Sequence, residues 1–93
     1  MKLRYAIGET LKDLRTEQHR TLRDVAKSAG MALGYLSEVE RGHKEASSEI
    51  LDTITNALGI SVADLLILTA LRMSGGVPDT AQELLDKYPD LVV

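Results

Sequence analysis

Ninety-three residues, 44% of them hydrophobic, suit one compact domain with a short extension. The absence of cysteine excludes disulfides, zinc–cysteine sites and thiol chemistry. A formal net charge of −3 argues against a uniformly basic nucleic-acid binder, but residues 1–46 carry nine Lys and Arg against seven Asp and Glu, and residues 47–93 two against seven.

A phosphate-rich partner would therefore meet the first half, with the acidic second half held away from it. Seven acids within the basic half imply modest affinity per subunit, which a dimer would offset. The opening MKLRYAIGETLKDL lacks the uninterrupted apolar core of a secretory leader. The longest apolar-rich run, 60–73, is too short to span a bilayer and contains Asp64 and Arg72. The expectation is a soluble, cytoplasmic protein with no membrane partner.

Ile7, Leu11 and Leu14 fall on one face and predict a first helix over 7–18. Lys12, Asp13, Glu17 and Gln18 take the solvent side, and Arg15 sits at the edge of the buried face. The turn EQHR ends this helix without glycine or proline.

Thr21 opens the second helix, and Asp24 three residues on completes a capping-box pattern. The free N–H groups and positive end of such a helix make a phosphate seat, flanked here by Arg20 and Arg23. Val25, Ala26 and Ala29 point inward, and small Ala26 lets a crossing helix approach. Gly30 follows where a left-handed residue must stop the helix. Leu36 and Val39 give the next helix its own inward stripe. This register over 21–42 predicts a helix-turn-helix, whose second helix enters the DNA major groove.

That third helix, about 33–41, turns Leu33, Gly34, Ser37, Glu38 and Arg41 outward. Leu33 can meet a thymine methyl, and Ser37 can donate or accept. Glu38 can accept from a cytosine amino group, or stay solvated and repel phosphate. Gly34 costs roughly 1 kcal/mol against alanine; it either admits close approach to the groove or marks a frayed first turn. Tyr35 can pack its ring inward and send its hydroxyl to a phosphate. Arg41 and Lys44 extend the phosphate set. Two distant histidines without cysteine give no metal signal, and no cofactor is expected. No paired carboxylates or nucleophile–base set points to an enzyme.

Ser47 or Ser48 caps a fourth helix that runs to Leu58 and stops at Gly59, with Ile50, Leu51, Ile54, Ala57 and Leu58 as its apolar face. Ser61 caps a fifth, with Asp64 completing the same pattern. Its sequence VADLLILTALRM leaves almost no polar face, and four small helices can cover one side only. The other side meets the tail or another subunit, so Leu65, Leu68 and Leu71 are expected at a dimer interface with Leu84 and Leu85. Ser74, Gly75, Gly76 and Pro78 break the chain. Thr80 caps a short sixth helix over 81–88, Pro89 stops it, and the ending DLVV is apolar. The expected division is a DNA-binding domain over 1–73 and a C-terminal extension over 74–93.

The segments IGETLKDLR, TLRDVAKSAG, YLSEVERG and NALGISVADLL, in register over 7–66, resemble the XRE, lambda-repressor-like family of helix-turn-helix transcription regulators. The resemblance implies an all-α, five-helix lambda-repressor-like DNA-binding domain with a helical C-terminal extension. Within that family, GYLSEVERGHKEASSEIL is most similar to the Clp-gene regulators of actinobacteria. Arg15 and Glu40 match the pair that ties the first helix to the end of the recognition helix. Ala32, Leu33, Gly34, Ser37 and Glu38 match base-reading positions, and Thr21, Arg23, Tyr35 and Lys44 match phosphate-contacting neighbourhoods. Many relatives carry Ser, Thr, Gln or Arg where this chain has Ala32, Leu33 and Gly34, which shifts readout toward water and DNA shape.

The implied function is a homodimeric activator of Clp protease and related proteostasis genes on a palindromic operator. Its implied partners are double-stranded DNA, a second copy, RNA polymerase and Clp protease, the last through an apolar tail such as LVV. A phage-type repressor or an antitoxin shares the same DNA chemistry. The charge of −3 also fits a protein-interaction module that kept the fold.

Overall fold

The computed structural model describes residues 2–75 and 80–90 as six helices: α1 (Leu3–Glu17), α2 (Leu22–Ala29), α3 (Leu33–Glu40), α4 (Ser48–Leu58), α5 (Val62–Ser74) and α6 (Thr80–Lys87). Among the described residues there is no strand. The architecture is all-α, as expected.

Local chemistry sets most boundaries. Thr21 Oγ1 accepts the Asp24 N–H at 3.0 Å while Asp24 accepts the Thr21 N–H at 2.9 Å, a complete capping box. Ser47, rather than Ser48, caps α4 by accepting the Ile50 N–H at 3.2 Å. Ser61 accepts from Asp64 N–H at 3.0 Å, so α5 carries the serine half of its expected box. Gly30 ends α2 at φ 64°, a conformation that costs glycine nothing.

α1 differs from expectation at its start. It begins at Leu3, four residues early, and ends as expected with Gln18 as its C-cap. The left-handed residue of the following turn is His19, φ 56°, one of the side chains that tolerates that region. The buried face is also shifted: Ala6, Gly8, Thr10, Leu11 and Arg15 are buried, whereas Ile7 and Leu14 flank the core. Gly8 explains this. A Cβ there would lie 2.5 Å from the carbonyl oxygens of both Val39 and Glu40, so α1 meets the end of α3 at backbone distance.

The core joins Leu11, Val25, Ala26, Leu36, Val39, Ile54, Leu58 and Leu65. α1 lies against α3 and α5, and α2 against α3 and α4. Each large aliphatic side chain withdrawn from water here contributes about 1.5–3 kcal/mol. Together they fix α3 from behind.

α5 buries a different stripe from the one expected. Leu65 is fully buried in the subunit core, which removes it from the dimer-interface set. Thr69 follows it, its hydroxyl donating to the Leu65 carbonyl at 2.7 Å. Arg72 continues the stripe, donating to Thr10 Oγ1 and Glu9, both at 3.1 Å, and to Asp13. Leu71 is half-buried, while Leu66, Ile67, Leu68 and Met73 face outward with 40–59% of their surface exposed. On α6, Leu84 and Leu85 are exposed too, as is Tyr88 just after it.

The expected break at Gly76 and Pro78 and the apolar ending 91–93 lie outside the described residues, as does the Thr80 side chain. Among the described residues no single helix is long and apolar enough to cross a membrane; α4 and α5 reach that length only together and meet at a 97° bend.

Candidate nucleic-acid interface

α3 leaves the outer side of its start exposed, at Ala32, Leu33 and Gly34. Leu36, Val39 and Glu40 are buried on its inner side. The N-cap, Ala32, offers no side-chain oxygen to the first turn, and that turn holds no acid. Its leading N–H groups and positive dipole end therefore remain available to an anionic or acceptor-bearing partner.

Leu33 is 40% exposed beside them. Gly34 is exposed, and a Cβ placed on it would meet nothing within 4 Å, so no contact inside the subunit requires glycine. Ser37 lies one turn on and is half-buried. Ala32 is exposed at the cap, and Tyr35 is half-buried with its ring against the core.

Glu38 is already partly occupied. Its carboxylate pairs with Arg41 and lies 3.3 Å from His43 Nδ1. These contacts use part of the carboxylate's acceptor capacity, and the side chain keeps 32% of its surface exposed. The arrangement lets Glu38 hold Arg41 and His43 at the end of α3. The loop closes back to do so, with the His43 N–H donating to the Glu38 carbonyl at 2.9 Å. Gly42 makes the bend at φ 73°, where a Cβ would lie 2.2 Å from Tyr5 Cδ1.

The phosphate set divides. Thr21, Arg23, Arg41 and Lys44 are exposed, and Thr21 and Arg23 sit at the start of α2. Asp24 shares that helix end. Its hydrogen bonds from the Thr21 backbone and side chain hold its carboxyl below the ordinary aspartate range. Arg20 departs from expectation: it donates to the Ala57 carbonyl at 2.7 Å, Ser28 Oγ at 2.9 Å and Gln18 Oε1 at 3.3 Å. Gln18 donates to the Leu58 carbonyl at 2.7 Å. These two side chains satisfy the C-terminal carbonyls of α4, which otherwise lack partners. Arg20 thus serves as a structural tie.

Beneath the interface, Arg15 Nε and Nη2 donate to the two oxygens of Glu40 at 2.8 and 3.0 Å, and Nη1 reaches the Arg20 carbonyl at 2.9 Å. The hydrogen bond to Glu40 raises the Arg15 pKa against the opposing effect of burial. The pair is the floor of an open cleft that also gathers Lys12, Ser37, Arg41 and His43. The sequence alone sends Lys12 to bulk solvent and places His43 only behind Lys44 as a phosphate candidate. Lys12 precedes Arg15 by three residues, a spacing that shares a helix face and is the available signal.

The tight turn after α2, the helix packed across it and the exposed outer side of the start of α3 define a lambda-repressor-like helix-turn-helix. The Helix-turn-helix family profile matches residues 11–65, and the chain belongs to the XRE-type family of DNA-binding transcription regulators. It is 47% identical over 72 residues, 77% of its length, to the transcriptional regulator ClgR of Mycobacterium tuberculosis. The matched part spans 64% of that regulator. A crystal structure of the clp gene regulator ClgR from Corynebacterium glutamicum superposes with TM-score 0.78 and 45% identity, covering 94% of this chain and 89% of the other. The restriction-modification controller protein C.AhdI from Aeromonas hydrophila is similar at TM-score 0.64 and 28% identity, covering 66% and 92% of the two chains.

Proposed function

We propose that this chain regulates transcription as a homodimer on a palindromic operator, with α3 in the major groove, and that it activates Clp protease and related proteostasis genes. The observation that carries the DNA reading is the outer face of α3. Its first turn is uncapped and unobstructed, while its inner face is fixed by the core and by Glu40. Ala32, Leu33, Gly34 and Ser37 meet bases or their waters; Thr21, Arg23, Tyr35, Arg41 and Lys44 meet phosphates.

Clp-gene targets are supported by the likeness to the two ClgR proteins. Dimerisation is supported by the outward apolar side chains of α5 and α6, among them Leu68, Leu84 and Leu85. The extension 74–93 contributes to that contact. Activation adds RNA polymerase as a partner, and turnover adds Clp protease.

Selection of bound duplexes from a random pool tests the proposal. The expected product is an inverted repeat with half-sites about 34 Å, one DNA turn, apart. Recovery of sequences without symmetry would contradict the dimeric reading.

A further inference from the structure

A cavity of about 340 Å³ opens between the first turns of α1, the loop after α3 and the middle of α5. Its walls are apolar, formed by Leu3, Ile7, Ala46, Leu51 and Leu66. Its charged groups are Arg4, Lys44 and Glu45, two cations against one carboxylate. Arg4 makes no hydrogen bond to a carboxylate: its contact with Glu45 is 3.8 Å, its guanidinium carbon lies 5.6 Å from the Tyr5 ring centroid, and its Nε is buried without a hydrogen-bond partner. Exposed Lys44 is absent from the ion pairs among the described residues.

An apolar chamber of this size suits a small ligand rather than a macromolecular strand. Its lining offers little to a sugar or a nucleobase, whose buried polar edges would go unpaired. The surplus cation offers a charge-assisted hydrogen bond to an anion. An apolar body with one anionic end satisfies both.

We propose that this cavity binds a small apolar monoanion of the medium-chain carboxylate class, with its carboxylate on Arg4 and Lys44. This rests in part on the reading of Lys44 as a DNA-phosphate contact. An occupant would draw Lys44 away from the operator backbone and so weaken DNA binding.

The test has two arms. In the first, without DNA, the full chain is titrated with sodium octanoate, and with octanol as the uncharged control, by amide chemical shift. Octanoate should saturate with shifts centred on Leu3, Ile7, Ala46 and Leu66, and should bind about tenfold tighter than octanol. Arg4→Gln should remove that advantage while leaving octanol binding and the helix signals unchanged.

In the second arm, saturating octanoate should weaken binding of the selected palindromic duplex about 5-fold or more in the native chain and much less in Arg4→Gln. Absence of saturable shifts, or equal affinity for octanol, overturns the site. Saturable octanoate binding with unchanged duplex affinity overturns the competition at Lys44. Because the first arm contains no DNA, it reports on the cavity whatever becomes of the operator reading.

Discussion

Arg15 grips Glu40 through two parallel hydrogen bonds, at 2.8 and 3.0 Å, across 25 residues of sequence. The Glu40 side chain is 6% exposed and that of Arg15 is 11% exposed, so little water screens either charge. The pair ties the last turn of α1 to the last turn of α3. Stability and presentation of α3 are therefore linked at one contact.

Removing one partner leaves the other as a buried, unpaired charge. Arg15→Met or Glu40→Leu alone should each cost about 3–5 kcal/mol. The double variant should be markedly more stable than either single one, because no charge is stranded. Urea unfolding of the four proteins in a double-mutant cycle measures this. Simple additivity would mean that the two side chains act independently.

Gly8 is a packing residue rather than a flexible one. Alanine there places a Cβ 2.5 Å from two carbonyl oxygens of α3, and neither belongs to a side chain that can rotate away. Gly8→Ala should destabilise by about 1–3 kcal/mol despite alanine's better helix propensity. Gly34→Ala, with nothing within 4 Å, should stabilise the free protein by up to about 1 kcal/mol. Thermal unfolding of both variants should give shifts of opposite sign.

Arg20 and Arg23 are separated by two residues and have different work. Arg20→Met removes donors to Ala57, Ser28 and Gln18 and should cost about 1–3 kcal/mol of stability. Arg23→Gln should leave stability within about 0.5 kcal/mol, as surface changes do. It should instead weaken DNA binding and flatten the salt dependence by about one unit of slope for the phosphate it no longer neutralises. Unfolding and salt titrations on both variants separate the roles; equal salt slopes for Arg23→Gln and the native chain would remove Arg23 from the interface.

The capping box at Thr21 predicts a pH effect. The folded-state pKa of Asp24 lies below its ordinary value, so the box contributes in full above the ordinary aspartate range. That contribution is lost as pH falls through the lowered pKa, when the protonated carboxyl accepts more weakly from the Thr21 N–H. Hydrogen exchange of the first-turn amides of α2 should rise over that acidic window and should no longer respond to it in Asp24→Asn. An NMR titration placing Asp24 at or above the ordinary value would refute the box as a source of stability.

The caps and stops were legible because they depend on chemistry between residues three or four apart. Thr21 with Asp24, Gly30, Gly59 and Ser61 could be read one at a time. The inner face of α3 was legible for a similar reason, since Leu36 and Val39 carry the helical period. The start of α1 and the buried stripe of α5 were not, because counting large apolar residues misses helices in close contact. There the buried positions are Ala6, Gly8, Thr10 and Thr69. The threonines tolerate burial because their hydroxyls donate to the carbonyls of Ala6 and Leu65, both at 2.7 Å.

The exposed arginines posed a different difficulty. Nothing local distinguishes Arg20 from Arg23. The acceptor that claims Arg20 is the Ala57 carbonyl, 37 residues away. Likewise Glu38 reads as a free carboxylate until the bend at Gly42 brings His43 back to it. Long-range partners decide both cases.

As proposed, the outer face of α3 binds operator DNA through a phosphate-led contact. The most direct measurement is fluorescence anisotropy of a selected palindromic duplex titrated with the full chain from about 50 to 200 mM salt. Log affinity should fall linearly with log salt, by about 0.9 for each phosphate neutralised, and Ser37→Ala should change base preference symmetrically in the two half-sites. Affinity independent of salt, or a Ser37→Ala preference identical to that of the native chain at every position, would contradict the proposal.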